Sequence, residues 1–380
     1  VVTSVPEIIE EAETIAARYH ELGWFSGTLL LAKSGKVVFT QSYGYENIKT
    51  KSKNSVDTKF NLGSIMKNFT KVLILQQITS GRLHLTDTLD KFDLGFGAEI
   101  SSKITIEHLL NHSAGFADIF TAEYRENQLA FDTLNKKLQL LLNVPLRFEP
   151  GTDHRYSNYG YVVLGAILEK VSKQSFEQLL TKNIFSPLNL NNTSFKVAPN
   201  SKHQSLRYTY LYDGSIKEVG ITEHPGPDGG IESTAANVQR FYRELFHGNR
   251  LLNSNDPMVR KTFAMDGEHW GSYGGGLGVS AAVELLVKNE LTIIVLANSD
   301  ELVAERISNR LAQIFKGEEV DSVTLPAKHF VFQQFKTLGT NEFKAKFKTS
   351  YKTAGYSEFI GKAINESGLA LIKNGQHEDG

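Results

Sequence analysis

The chain has 380 residues, a formal net charge of −1 and no cysteine. Near-zero charge excludes a global field that would gather nucleic acid or an anionic membrane surface. Missing thiols exclude disulfides, thiolate metal sites and a cysteine nucleophile. With 41% hydrophobic and 22% charged residues, the composition is that of an ordinary globular protein. No run of eighteen apolar residues occurs, so no membrane span is expected. The length predicts two domains, or one large domain with an extension. The chain opens at Val1 with no charged-then-apolar leader, so a signal peptide has been removed or was never there. The lack of cysteine suits an extracytoplasmic setting, periplasmic or secreted.

In chain order, residues 6–22 carry Ile8, Ile9, Ala12, Ile15, Ala16 and Tyr19 on one helical side. Two strand-like runs follow, 26–32 and 36–43, joined by Lys33-Ser34-Gly35 as a hairpin. The stretch 60–83 is predicted to turn at Leu62-Gly63 and enter a helix at Ser64. Phe69, Val72, Leu73 and Ile78 form its buried stripe, and Gly81 stops it. Short helices are predicted over 86–92, 105–111, 131–142, 159–171 and 176–184, then weak β signal near Gly214. A turn at Asp228-Gly229-Gly230 precedes a helix over 234–246. Apolar runs 277–287 and 291–297, split by Lys288-Asn289-Glu290, form a second hairpin, and Glu301 opens an amphipathic helix ending at Phe315. After a linker at 320–326, helices are predicted over 328–338, 341–351 and from Ser357 to Lys373. Helix and hairpin at one end thus mirror hairpin and helix at the other. The economical assembly is α+β: an antiparallel sheet built from both ends and flanked by helices, plus an all-α lobe and a small helical C-terminal extension. The division predicted is 1–318, with the helical lobe at about 84–210, and 319–380 as linker and extension. A pocket is expected between the lobes.

Three features carry chemistry. Ser64 and Lys67 lie three apart, hence on one helix face. A hydroxyl attacks at neutral pH only if a base takes its proton, and a desolvated amine one turn away can be that base. The competing reading is an N-cap serine beside a solvated lysine. Second, Tyr156-Ser157-Asn158 stands at a helix start and would aim a phenol and a carboxamide out of the helical lobe. A phenol in a cationic pocket could be drawn toward phenolate and act as base. A packing tyrosine is the alternative. Third, Tyr273-Gly274-Gly275-Gly276 precedes the C-terminal hairpin, where glycines let a substrate approach the strand backbone. A flexible loop is the alternative.

In this order the residues resemble the penicillin-recognising serine hydrolases: class C β-lactamases, D-Ala-D-Ala carboxypeptidases and related esterases. The similarity runs over about residues 8–316. It includes 27–45 (GTLLLAKSGKVVFTQSYGY), 104–118 (ITIEHLLNHSAGFAD), 229–241 (GGIESTAANVQRF) and 276–298. Most specific is 148–195 (FEPGTDHRYSNYGYVVLGAILEKVSKQSFEQLLTKNIFSPLNLNNTSF). The resemblance implies the β-lactamase/transpeptidase-like fold, Ser64 as acylated nucleophile, Lys67 as its proton partner and Tyr156 as base for acylation or deacylation. Asn158 would bind a substrate amide, and Tyr273, Gly275 and Gly276 on the edge strand would also be substrate-binding. The backbone N–H groups of Ser64 and Gly276 would form the oxyanion hole. His112 and His154 gain no catalytic role. No cofactor and no metal are implied.

One departure bears on substrate. The third motif of the family usually begins with a cation that meets a substrate carboxylate, and Tyr273 stands there. Losing that bond costs about 1.5–3 kcal/mol, roughly ten- to hundredfold in affinity. Small esters or D-amino-acid peptides are therefore expected before β-lactams, unless His269, Arg155 or Arg207 restores the charge. The expected partners are small molecules or peptides, peptidoglycan fragments among them, with no nucleic acid. The rival from another class is a catalytically silent binding module for such fragments or for a partner protein. A metallohydrolase is remote: His108 and His112 are four apart, but no glutamate follows the first.

Overall fold

The computed structural model describes residues 4–195, 201–300, 302–356 and 358–373. Helix α1, Val5–Glu21, starts in a capping box: the Ser4 hydroxyl accepts from the Glu7 amide while the Glu7 carboxylate accepts from Ser4 N–H. Its buried residues, Ile8, Ala12, Ile15, Ala16 and Tyr19, are the predicted stripe without Ile9, which is only partly buried. Strands β1 (Gly27–Lys33) and β2 (Lys36–Tyr43) form the first hairpin. Its two-residue turn puts Ser34 and Gly35 at φ 47° and 76°, matching strand twist.

The sheet is completed from the far end of the chain by β3 (His269–Gly276), β4 (Val279–Leu286) and β5 (Leu291–Ala297). Its order is β2-β1-β5-β4-β3, antiparallel throughout, with Leu29 opposite Val295 and Val283 opposite Ile294. Alternation divides β1 between two cores. Leu29 and Leu31 pack with α1 and with the helix Val303–Phe315, while Leu30 and Ala32 face the larger helical core.

Helix α2, Met66–Thr79, runs through that larger core. The sequence pattern predicted one buried stripe, yet Phe69, Val72, Leu73, Ile74 and Leu75 are all buried. The sheet lies along one side of α2. Helices α3 (Asn158–Ser172) and α4 (Ala235–His247) take the others, with Phe69 stacked on Phe241 at 3.8 Å. A helix enclosed this way has no solvent face to leave polar.

Beyond the sheet, Ala327–Thr353 and Ile360–Lys373 pack together around a cluster of their own that includes Val331, Phe347, Tyr351 and Ala363. The two helices predicted at 328–338 and 341–351 are separated at Gly339, whose backbone is non-helical (φ 71°, ψ 170°) within the span Ala327–Thr353. The predicted starts at Glu301 and Ser357 lie outside the described residues. Over 86–92 only a 3₁₀ turn, Leu89–Phe92, forms. The main omission is β3: Tyr273–Gly276 belongs to a strand and is not a loop before one. Glycines have poor strand propensity, and this segment is held extended by its ladder with β4.

Candidate active site

Ser64 sits in a 3₁₀ turn, Gly63–Ile65, that feeds directly into α2. Gly63 occupies the left-handed region (φ 51°), and its carbonyl accepts from Gly230 N–H at 3.3 Å. The Ser64 side chain does not cap the helix. Its Oγ lies 3.2 Å from Lys67 Nζ and 2.8 Å from the Tyr156 hydroxyl. The structure thus joins two of the three sequence features at one atom.

Lys67 is 5% exposed. Besides Ser64 it donates to Asn158 Oδ1 at 2.7 Å and to the Asp228 carbonyl at 2.5 Å. Those three acceptors account for all three protons of an ammonium. In the neutral amine, bonds to Asn158 and Asp228 can persist while the lone pair faces the Ser64 hydroxyl. Burial is the main influence on this amine and lowers its pKa to about 8, although Asp228, Asp118 and Glu223 pull upward. Tyr156 behaves oppositely. Burial pushes its phenol up to about 12, and Asp228 and Asp118 add to the rise, so it remains protonated at neutral pH. In the resting site the pocket therefore favours an amine base and a neutral phenol.

Two residues passed over in the sequence hold this arrangement. The Asp118 carboxylate accepts from Asn158 N–H at 2.9 Å and from its amide nitrogen at 3.0 Å, which turns Oδ1 toward Lys67. Asp228 acts through its carbonyl, at the glycine turn already read as a turn. No sequence signal marks a backbone acceptor. Asp118 ended a segment singled out for resemblance, but its contact with Asn158 spans 40 positions. His112 stacks on the Tyr156 ring at 4.5 Å and accepts from Ser157 N–H at 3.2 Å. Burial and the two nearby lysines lower its pKa to about 3, so it is a neutral, positioning group.

The third feature needs correction. Along β3, side chains alternate between the sheet faces. Ser272 faces α2, where its Oγ accepts from Asn68 at 2.8 Å. Tyr273 faces the opposite way: its phenol donates to buried Glu284 at 2.6 Å and lies 3.3 Å from Asn309. Tyr273 therefore borders the cleft without aiming its side chain into it, and Ser272 holds the position nearest α2. His269 also bonds Glu284 and supplies no cation to the cleft, and neither Arg155 nor Arg207 lines it.

Gly274 is where strand and helix meet. A Cβ there would lie 2.0 Å from Leu62 O and 2.9 Å from Ser64 N, so only glycine permits the approach. Gly276 and Val279 close the two-residue turn of the β3–β4 hairpin. Alternate residues, Gly275 included, turn their N–H groups to the open edge. Gly275 N is also the atom nearest to a Cβ placed on Gly63, at 2.8 Å. The backbone of Gly274 and Gly275 thus passes beside the turn that carries Ser64. A cleft of about 300 Å³ opens here, lined among others by Ser64, Lys67, Lys71, Tyr156, Phe263 and Ser272. Among the described residues no group of three or more His, Asp or Glu could hold a metal ion, and no helix is long and apolar enough to cross a membrane.

Residues 12–316 match the family described as Beta-lactamase. The chain belongs to the β-lactamase family. Protein flp of Staphylococcus aureus is 32% identical over 342 residues, covering 83% of this chain and 68% of that protein. The chain thus spans about two thirds of that relative's length. Among solved structures, a penicillin-binding protein from Bacillus halodurans shares the fold with a TM-score of 0.70 at 23% identity, over 80% of this chain and 99% of that one. A D-stereospecific amidohydrolase from Streptomyces sp. gives 0.66 at 20% identity, over 80% and 97%. The family is one of serine hydrolases, and the sheet-plus-helical-lobe architecture read from the sequence is its fold.

Proposed function

We propose that this β-lactamase-family chain is a serine hydrolase that forms an acyl-enzyme on Ser64, acting on small esters or D-amino-acid peptides. The observation carrying the reading is Ser64 Oγ held between Lys67 Nζ at 3.2 Å and the Tyr156 hydroxyl at 2.8 Å. Neutral Lys67 takes the Ser64 proton as Oγ attacks the substrate carbonyl. The N–H groups of Ser64 and Gly275 receive the developing oxyanion. Tyr156, a neutral phenol touching Oγ, gives its proton to the leaving group, and the phenolate formed lies beside the new Lys67 ammonium. In deacylation that phenolate takes a proton from the attacking water while Lys67 returns its proton to Ser64 Oγ. Asn158 holds Lys67 through its Oδ1.

We rank esters and peptides above β-lactams because β3 itself presents Ser272 in place of a cation, the cations that line the cleft, Lys67 and Lys71, both standing on α2. The D-stereospecific amidohydrolase among the fold neighbours supports looking at D-amino-acid substrates. Peptidoglycan fragments and an extracytoplasmic setting, periplasmic or secreted, go with this reading. We place the catalytic unit at 1–318 and the linker and helical extension at 319–380, since the last two helices carry a separate apolar cluster.

Intact-mass measurement after a fluorophosphonate or a penicillin tests the proposal. A single adduct on the wild type that disappears in Ser64→Ala is expected. No adduct, or one that survives the substitution, would favour a silent binding module. Comparing kcat/KM on p-nitrophenyl acetate, nitrocefin and a D-Ala-D-Ala peptide then ranks the substrates. Nitrocefin far ahead of the others would reverse that order.

A further inference from the structure

Lys71 follows Lys67 by one helical turn and so projects from the same face of α2 into the cleft that Ser64, Tyr156 and Ser272 line. The two lysines have different surroundings. Lys67 is held by three acceptors and feels Asp228, Asp118 and Glu223. Lys71 is half-buried, and among the described residues its ammonium donates no hydrogen bond and pairs with no carboxylate. Its one specific contact is the Phe263 ring, with Nζ 5.5 Å from the centroid. Burial, and then the charge of Lys67, lower its pKa to about 8, and no acidic group offsets them. A cation desolvated beside a second cation is costly unless an anion joins it. Among the described residues the protein supplies none.

We propose that Lys71 forms an anion subsite, and that the substrate cleaved at Ser64 carries a carboxylate which this ammonium binds. The assignment rests on the hydrolase reading above and narrows its substrate class. One free cation among neutral groups (the Phe263 ring, the Asn68–Ser272 pair) suits a singly charged carboxylate better than a dianion. A cleft of about 300 Å³ suits a small acyl compound. Lys71 acts on which substrate is held and takes no part in moving the Ser64 proton.

The test is a discrimination ratio: kcat/KM for a D-Ala-D-Ala peptide with a free C-terminal carboxylate over that for its C-terminal amide. A charge-assisted bond predicts a wild-type ratio of about ten to a hundred. Lys71→Gln should bring it near one, Lys71→Arg should retain most of it, and the surface control Lys288→Gln should not change it. A wild-type ratio near one, or a ratio in Lys71→Gln equal to wild type, would overturn the assignment. A second measurement needs no turnover: N-acetyl-D-alanine should raise the wild-type melting temperature, and its N-methylamide should not. Loss of that shift in Lys71→Gln supports the subsite even if the enzyme takes other substrates, and absence of the shift in the wild type overturns it. Failure of fluorophosphonate labelling would count against the hydrolase reading, while the melting shift judges the subsite separately.

Discussion

If Lys67 is the base, the rate of acylation should follow its deprotonation. An unperturbed lysine near 10.5 is neutral in about one molecule in three thousand at pH 7, whereas one at about 8 is neutral in about one in ten. Burial of this amine therefore yields about a 300-fold larger population of competent base, the equivalent of roughly 3.4 kcal/mol. The sign is definite: lowering the pKa helps a base, so kcat/KM should climb about tenfold per unit below pH 8 and level off above it. p-Nitrophenyl acetate, corrected for spontaneous hydrolysis, gives the profile, and stopped-flow acylation separates it from deacylation. Tyr156 is held near 12 and titrates outside the range. Tyr156→Phe should lower the plateau and leave the midpoint in place. Lys71 is also drawn to about 8. Persistence of the midpoint in Lys71→Gln assigns it to Lys67. Lys67→Arg replaces the amine with a group that stays charged and should lose at least about a thousandfold. A midpoint at 10 or above, a midpoint abolished by Tyr156→Phe, or near-normal activity in Lys67→Arg would refute the mechanism.

Two further outcomes follow from β3. Gly274→Ala forces a methyl against Leu62 O and Ser64 N, so the strand must retreat from the nucleophile. We expect a loss of about 1–3 kcal/mol of stability and about a hundredfold in kcat/KM, read by denaturant melts and ester hydrolysis. Wild-type activity in that variant would show the contact to be slack. Tyr273→Phe removes a donor from Glu284, which is 0% exposed. It should cost about 1–3 kcal/mol of stability while leaving the acid-to-amide ratio unchanged, and a changed ratio would place the phenol in the cleft.

Much of the site was legible along the chain because its parts are local. Ser64 and Lys67 fall on one helical turn, and Tyr156 and Asn158 straddle one helix start capped by Ser157. Spacing alone therefore brought each pair to one face. The first and last hairpins were visible through apolar runs and turn residues, and the sheet they share is the simplest way for two such hairpins to bury their faces. The helical C-terminus was visible as periodicity, and the break read between its first two helices falls at the non-helical Gly339.

What remained hidden depends on contacts between distant segments. The orientation of Asn158 is decided by Asp118, the third bond of Lys67 by the carbonyl of Asp228, and the pKa order of Lys67 and Tyr156 by how deeply each charge would be buried. Residue type cannot say which of an amine and a phenol gives up its proton first inside a protein. Desolvation decides that, and desolvation belongs to the assembled core. The glycine run of β3 is the same lesson in backbone form. Sequence showed that a close approach was allowed there, but the ladder with β4 decided that Tyr273 turns away and that Gly274 lies against the turn before the helix. Strand alternation has a period of two, so a shift of one residue exchanges every inward group for an outward one. Pairing across the sheet determines that register.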